Sequence, residues 1–148
     1  MSLPTGVELQ LSLGQFPTSG AYFMALYTTI LNVTTAISYS ATGEVAAGGG
    51  YSTKGFAMAV GTFTPEYWGQ DNTTAVFDPA DTASGGGDTF TFRSLLVYND
   101  TPTADAPRVI DPGLYWFDAG SSQVVSNGTL TVIWPTPDDT TGLVRVPQ

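Results

Sequence analysis

Lys54 stands four residues after a triple glycine in "GEVAAGGGYSTKGF", residues 43 to 56. Glycines beside a lysine are the raw material of a phosphate cradle. That cradle needs Gly-Lys-Ser/Thr opening into a helix, so that backbone amides and the lysine converge on the phosphates. Here Lys54 is followed by Gly55 and sits in a pattern that reads as a strand. The second triplet, in "SGGGD", would offer the Asp88 carboxylate to an anion. No βαβ unit frames either run, so a dinucleotide site is not expected. Both triplets read instead as strand connections, where glycine adopts backbone conformations other residues avoid.

Carboxylates are the other chemical candidates. Asp71, Asp78, Asp81 and Asp88 fall in one loop-rich stretch and could supply oxygen ligands to calcium. Their spacing is not that of an EF-hand, and aspartate is also a common turn former. Thirteen acidic residues offer many pairs that could flank a glycosidic bond, but no feature selects one. The chain has no cysteine and no histidine. That excludes disulfides, thiolate metal sites, cysteine nucleophiles and an imidazole base. No catalytic residue, cofactor or metal ligand is therefore expected, and the chain reads as a non-enzyme.

Aromatic residues carry a different signal. Tyr115, Trp116 and Phe117 are consecutive, so on a strand Tyr115 and Phe117 share a face opposite Trp116. Tyr67 and Trp68 lie in "PEYWGQD", beside a glycine in a loop context. Core packing and an exposed protein or sugar platform are both open readings for that pair. Four Asn-x-Ser/Thr sites, at Asn32, Asn72, Asn99 and Asn127, occur in a threonine-rich chain where chance produces such triplets.

The elements that must position these groups are extended. The chain has 148 residues, enough for one domain with its own core. Hydrophobic residues make up 42% and charged residues only 11%, too little charge for a coiled coil or an acidic disordered tail. The net charge of −9 leaves Lys54, Arg93, Arg108 and Arg145 as the only cations, and they are scattered. Nucleic-acid binding and docking on an anionic membrane both need clustered positive charge, so neither is expected. The opening residues show no basic segment followed by an apolar core, which predicts no secretory signal. No stretch reaches the length of a transmembrane helix.

Period-two patterning dominates the chain. In "GVELQLSLGQF", Val7, Leu9, Leu11 and Leu13 alternate with Glu8, Gln10 and Ser12, which places the four apolar residues on one face. "AYFMALYTTIL" is apolar throughout and fits a strand buried on both sides, with a short helix as the competing reading. Phe56, Met58 and Val60 alternate with Ala57 and Ala59. "TTAVFDP" is a short strand closed by Pro79. In "DTFTFRSLLVYND" the apolar parity changes around Ser94, from Phe90 and Phe92 to Leu95 and Val97. That change predicts a bulge or burial on both faces. Leu130, Val132 and Trp134 share a face in the last strong run. Turn signals such as "PTSG", "ATGE", "DPG" and "NG" separate these segments. The expected fold is all-β, a single antiparallel β-sandwich or jelly roll of about eight strands. Residues 1–20 would form an N-terminal arm, 21–135 the sandwich, and 136–148 an exposed tail with a possible last edge strand.

The order of segments resembles a group of small tailed-bacteriophage virion proteins, the capsid decoration and short tail-fibre-like proteins. The resemblance is carried by "FMALYTT", "TGEVAAGGGYSTKGFAMAVGTF", "TTAVFDPADT", "TFTFRSLLVYND" and "LYWFDAGSSQVVSNGTLTVIW", and it covers roughly residues 21 to 134. The alternating N-terminal segment and the insertion "NDTPTADAPRVIDPG" depart from the pattern, and both could contact neighbouring copies or a capsid. The resemblance implies a virion protein assembled in the host cytoplasm. Its implied partners are the major capsid protein and other copies of itself, in a homotrimer or homodimer. On that reading Val7, Leu9, Leu11 and Leu13 lie at an interface. The alternative is a tail-fibre or spike module that binds a host receptor or glycan through Tyr67 and Trp68.

Overall fold

The computed structural model describes residues 21–31, 38–59, 74–77, 79–100, 111–134 and 144–147. Within them the chain is all-β and every strand pairing is antiparallel. The strands are β1 (Ala21–Tyr27), β2 (Phe56–Met58), β3 (Thr74–Phe77), β4 (Thr82–Ala83), β5 (Asp88–Asp100), β6 (Gly113–Gly128), β7 (Thr131–Val132) and β8 (Val144–Pro147). A four-stranded sheet runs in the order β2-β1-β5-β6, and two ribbons pair β3 with β8 and β4 with β7.

β1 is a strand, which settles the reading of "AYFMALYTTIL". Tyr22, Met24 and Leu26 enter one core cluster, while Ala25 and Tyr27 enter a second on the opposite face. A strand covered on both faces has no polar positions to alternate with, so its sequence cannot show the period. The centre of β5 behaves in the same way. Phe90, Phe92, Leu95 and Val97 all reach the first cluster although their parity changes, while Leu96 and Tyr98 fill the second. Both predicted causes are present. The pairing register with β6 shifts between Phe92 and Ser94, and both faces are buried from Ser94 to Asn99.

At that shift β6 carries Ala119–Ser122 as an excursion, since Phe92 is opposite Gln123 while Ser94 is opposite Asp118. Arg93 ties the excursion to β5, its Nε donating to Asp118 Oδ1 at 2.6 Å and its second guanidinium nitrogen to Oδ2 at 3.2 Å. The guanidinium holds the Asp118 carboxyl below its ordinary range. Beyond β6 the chain crosses to the first cluster, where Leu130, Val132 and Trp134 pack together, as their shared face predicts. Reciprocal bonds to Ser84, backbone N to Leu130 O and side-chain Oγ from Leu130 N, fix that crossing.

The triple glycine is a tight turn. Gly48 and Tyr51 exchange both backbone hydrogen bonds, at 2.9 and 3.0 Å, around Gly49 and Gly50, whose φ angles are +56° and +90°. Two positive φ values at the central residues are the mark of the turn type that suits a right-twisted hairpin. The turn lies against the start of β5, where Thr89 N donates to Gly49 O. Lys54 differs from its sequence reading: it is not in a strand. It is the third residue of a turn closed by Gly55 N donating to Ser52 O, with φ +78°, and β2 begins only at Phe56.

Candidate functional site: a polar latch and an apolar groove

Two places gather the side chains that could act. The first is built around Glu44, the sole acidic residue between Glu8 and Glu66. Glu44 is brought beside β1 by a bridge to Tyr27. Its Oε2 accepts from Tyr39 Oη at 2.7 Å, and its Oε1 accepts from Tyr51 Oη and from Lys54 N, both at 2.8 Å. Tyr51 Oη in turn accepts from Leu26 N at 2.9 Å. Tyr39 stacks on Tyr98 with ring centroids 4.6 Å apart, and Tyr98 Oη donates to Lys54 O.

Lys54 Nζ closes the cluster on the surface by reaching both carboxylate oxygens of Asp100 at 3.0 Å. Asp111 lies nearby, in the left-handed region at φ +49°, and its backbone O accepts from Tyr39 N. Burial, then the neighbouring Asp100 carboxylate, pushes the Asp111 carboxyl above its ordinary value, with Lys54 opposing. Burial is also the main cause that pushes the Tyr39, Tyr51 and Tyr98 hydroxyls up, Glu44 and the neighbouring acids adding to it. Acids, phenols and an amine here bind one another. The arrangement latches the loop of residues 39–55 onto β1 and β5.

The latch makes a mutational expectation. Glu44→Ala strands two phenols and one backbone N–H at once, and charge-assisted bonds of this kind contribute about 1.5–3 kcal/mol each. Partial solvent access at Tyr39 moderates the loss, so the expected cost is about 3 kcal/mol. Glu44→Gln keeps one accepting oxygen and costs about 1 kcal/mol. Urea unfolding of the two variants checks the ordering, and equal midpoints for Glu44→Ala and the parent would reject the latch.

The second place is a groove of about 520 Å³ between the edge of the four-stranded sheet and the β7 segment. Phe92, Tyr115, Phe117, Val132, Ile133 and Trp134 line it. Trp134 is held from below, its Nε1 donating to Thr82 Oγ1 at 3.3 Å and its backbone N to Asp81 Oδ1 at 3.0 Å. Phe117 and Ile133 are 48% and 76% exposed, which is unusual for side chains of that size. As the spacing predicts, Tyr115 packs on the first cluster and Trp116 on the second, across the sheet.

Of the residues singled out from sequence, Val7, Leu9, Leu11, Leu13, Tyr67 and Trp68 lie outside the described residues, as do Asp71 and Asp78. Asp81 serves the Trp134 backbone, and buried Asp88 accepts from Gly86 N at 3.4 Å. Among the described residues no three acidic, histidine or cysteine side chains converge on a cation position. Also among them, no helix is long and apolar enough to cross a membrane. Sequence reasoning passed over Glu44 as a cluster centre. Its isolation as the one carboxylate between Glu8 and Glu66 was the available signal, since a lone carboxylate in such surroundings needs donors. Compared with protein-family models, curated proteins and solved structures, the chain matches none.

Proposed function

We propose that this protein is a non-enzymatic structural component of a tailed-phage virion, a decoration protein that binds the outside of the head. The proposal takes the domain as an antiparallel sandwich of jelly-roll type, with the β4–β7 ribbon lying over one face of the β2-β1-β5-β6 sheet. The observation that carries it is the joining of a tightly latched β framework to an exposed apolar groove at a sheet edge. Solvent-exposed aromatic and branched side chains in a continuous groove are the mark of a surface that is covered on association. The motif order across residues 21 to 134 supports the virion reading, and a sparsely charged, cysteine-free β domain suits a particle assembled in a reducing cytoplasm. The partners are then the major capsid protein and further copies of this chain.

Quantitative mass spectrometry of purified particles tests this directly. Hundreds of copies, in simple ratio to the major capsid protein, are expected. A few copies would move the chain to the tail or a vertex and favour receptor binding, and none would end the virion reading. Deleting residues 2–15 should abolish capsid binding while circular dichroism stays that of a folded β protein. Unchanged binding would remove the N-terminal arm from the mechanism.

A further inference from the structure

Asn127 and Gly128 form the one Asn-Gly pair in the chain. They stand at the end of β6, where the pairing with β5 slips. Thr89 is opposite Ser126 and Asp88 is opposite Gly128, so Asn127 is opposite no residue. An extra residue of this kind is a bulge, and its backbone takes the left-handed conformation, at φ +47°. Asn127 N donates to the Thr89 hydroxyl at 3.1 Å. The side chain is exposed, and among the described residues its carboxamide has no hydrogen-bond partner.

Nothing in the backbone requires glycine at position 128. Its φ is outside the left-handed region. A Cβ there would meet Ser126 O at 3.7 Å and Val125 Cγ1 at 3.8 Å, which are ordinary contact distances. What glycine supplies is access. With no side chain on the following residue, its peptide nitrogen can swing onto the neighbouring carboxamide.

We propose that Asn127 is a site of spontaneous covalent modification, closing onto Gly128 N to a succinimide that opens to aspartate and isoaspartate. The Gly128 amide gives its proton to hydroxide, and its nitrogen attacks Asn127 Cγ. The N–Cγ bond forms, the Cγ–Nδ2 bond breaks, and ammonia leaves carrying a proton from water. Water then adds to one of the two ring carbonyls. Opening at Cγ gives aspartate, while opening at the main-chain carbonyl gives isoaspartate, in which the chain runs through Cβ and Cγ.

The position gives the change a structural consequence. Either product places a new negative charge next to the residue paired with Asp88, itself a buried carboxylate. Isoaspartate also inserts one carbon into the main chain between Ser126 and Gly128. Shortly beyond, Leu130 N donates to Ser84 Oγ at 2.8 Å and Leu130 O accepts from Ser84 N at 2.9 Å. The extra carbon strains that crossing, which carries Val132, Ile133 and Trp134, one wall of the groove.

Peptide mapping by mass spectrometry tests the site. The folded protein is held in mildly alkaline buffer, below the range where its tyrosines ionise, and sampled over weeks. The peptide containing Asn127 should gain the mass of an amide-to-acid exchange, as two separable products, and conversion should quicken with hydroxide. A bulge residue off the ladder opens at little cost, so the folded chain should convert within about tenfold of the rate in urea. Retention of the amide in the folded chain while the urea-unfolded chain converts would mean that the fold locks the bulge, and would overturn the proposal. Gly128→Ala should keep the circular dichroism of the parent and slow conversion at least about tenfold. An equal rate in that variant would overturn attack by the Gly128 nitrogen. The purified isoaspartate form should unfold at lower urea than the variant Asn127→Asp, which carries the charge without the extra carbon. Equal midpoints would overturn the effect on the crossing.

Discussion

Gly55→Ala destabilises the fold by about 4 kcal/mol, the largest effect expected of any single glycine substitution here. The backbone at Gly55 has φ +91°, where a side chain is strained by about 1–3 kcal/mol. A Cβ at this position would also collide with the Met24–Ala25 peptide, at Met24 O, Met24 C and Ala25 Cα, all within 2.7 Å. Those atoms belong to β1, the strand covered on both faces, and have nowhere to move. Relief of such a clash costs a further 1–3 kcal/mol or so. Gly120→Ala is the control: its φ is +78°, but no atom lies within 4 Å of the added carbon. Strain alone remains there, about 1 kcal/mol. Urea unfolding should give a much lower midpoint for Gly55→Ala with an unchanged slope. Equal midpoints for the two variants would show that β1 yields and that the Gly55 contact is not rigid.

The second large effect is alkaline unfolding. Tyr22, Tyr27, Tyr51 and Tyr98 are buried, each at most 3% exposed. Burial pushes the Tyr22 hydroxyl up to about 12, an effect the Asn99 amide partly offsets. Burial likewise pushes Tyr27 up to about 12, with the Ser40 carbonyl opposing and Glu44 adding to it. Tyr51 and Tyr98 are pushed higher still, again mainly by burial. Each phenol therefore keeps its proton in the fold after the unfolded chain has begun to lose it. The stabilisation is whole below the unfolded value near 10 and falls as pH rises toward the folded values.

Four such groups together remove about 5 kcal/mol per pH unit above pH 10. A domain with about 5–15 kcal/mol in hand then unfolds cooperatively at roughly pH 11–12. Tyrosinate absorbance and circular dichroism should change together over that range. Phenol ionisation centred near pH 10 in a chain that is still folded would refute the burial of these hydroxyls.

Both predictions depend on the same construction. β1 and the second half of β5 form the spine, and the loop of residues 39–55 is fastened to it through Glu44, Tyr51 and Lys54. A spine held this way resists local opening. None of the latch residues Tyr39, Glu44, Tyr51 and Lys54 lines the exposed groove.

Among the described residues, the sequence by itself determined the all-β class and the strand segments at β1, β2, β3, β5 and the start of β6. These are local properties: Phe90 and Phe92 alternate with threonines, glycine and aspartate mark the connections, and the period can be counted without knowing any partner. The shared face of Leu130, Val132 and Trp134 and the break near Ser94 were legible for the same reason. The sequence also put Tyr115 and Trp116 on opposite faces, because strand geometry alone requires it. Only the tertiary structure decided what those faces meet. Glu44, Tyr39, Tyr51 and Lys54 form a latch because β1 and two turns bring them together, and no spacing within residues 39–54 encodes that convergence. Lys54 left its apparent strand because the turn from Ser52 to Gly55 must bend sharply for β2 to pair with β1. The groove exists because the chain crosses from β6 to β7 over the sheet, so that Phe117 and Trp134, distant in sequence, line one surface. Periodicity reports which side of a strand is apolar, while contact between strands depends on a path through space that periodicity does not contain.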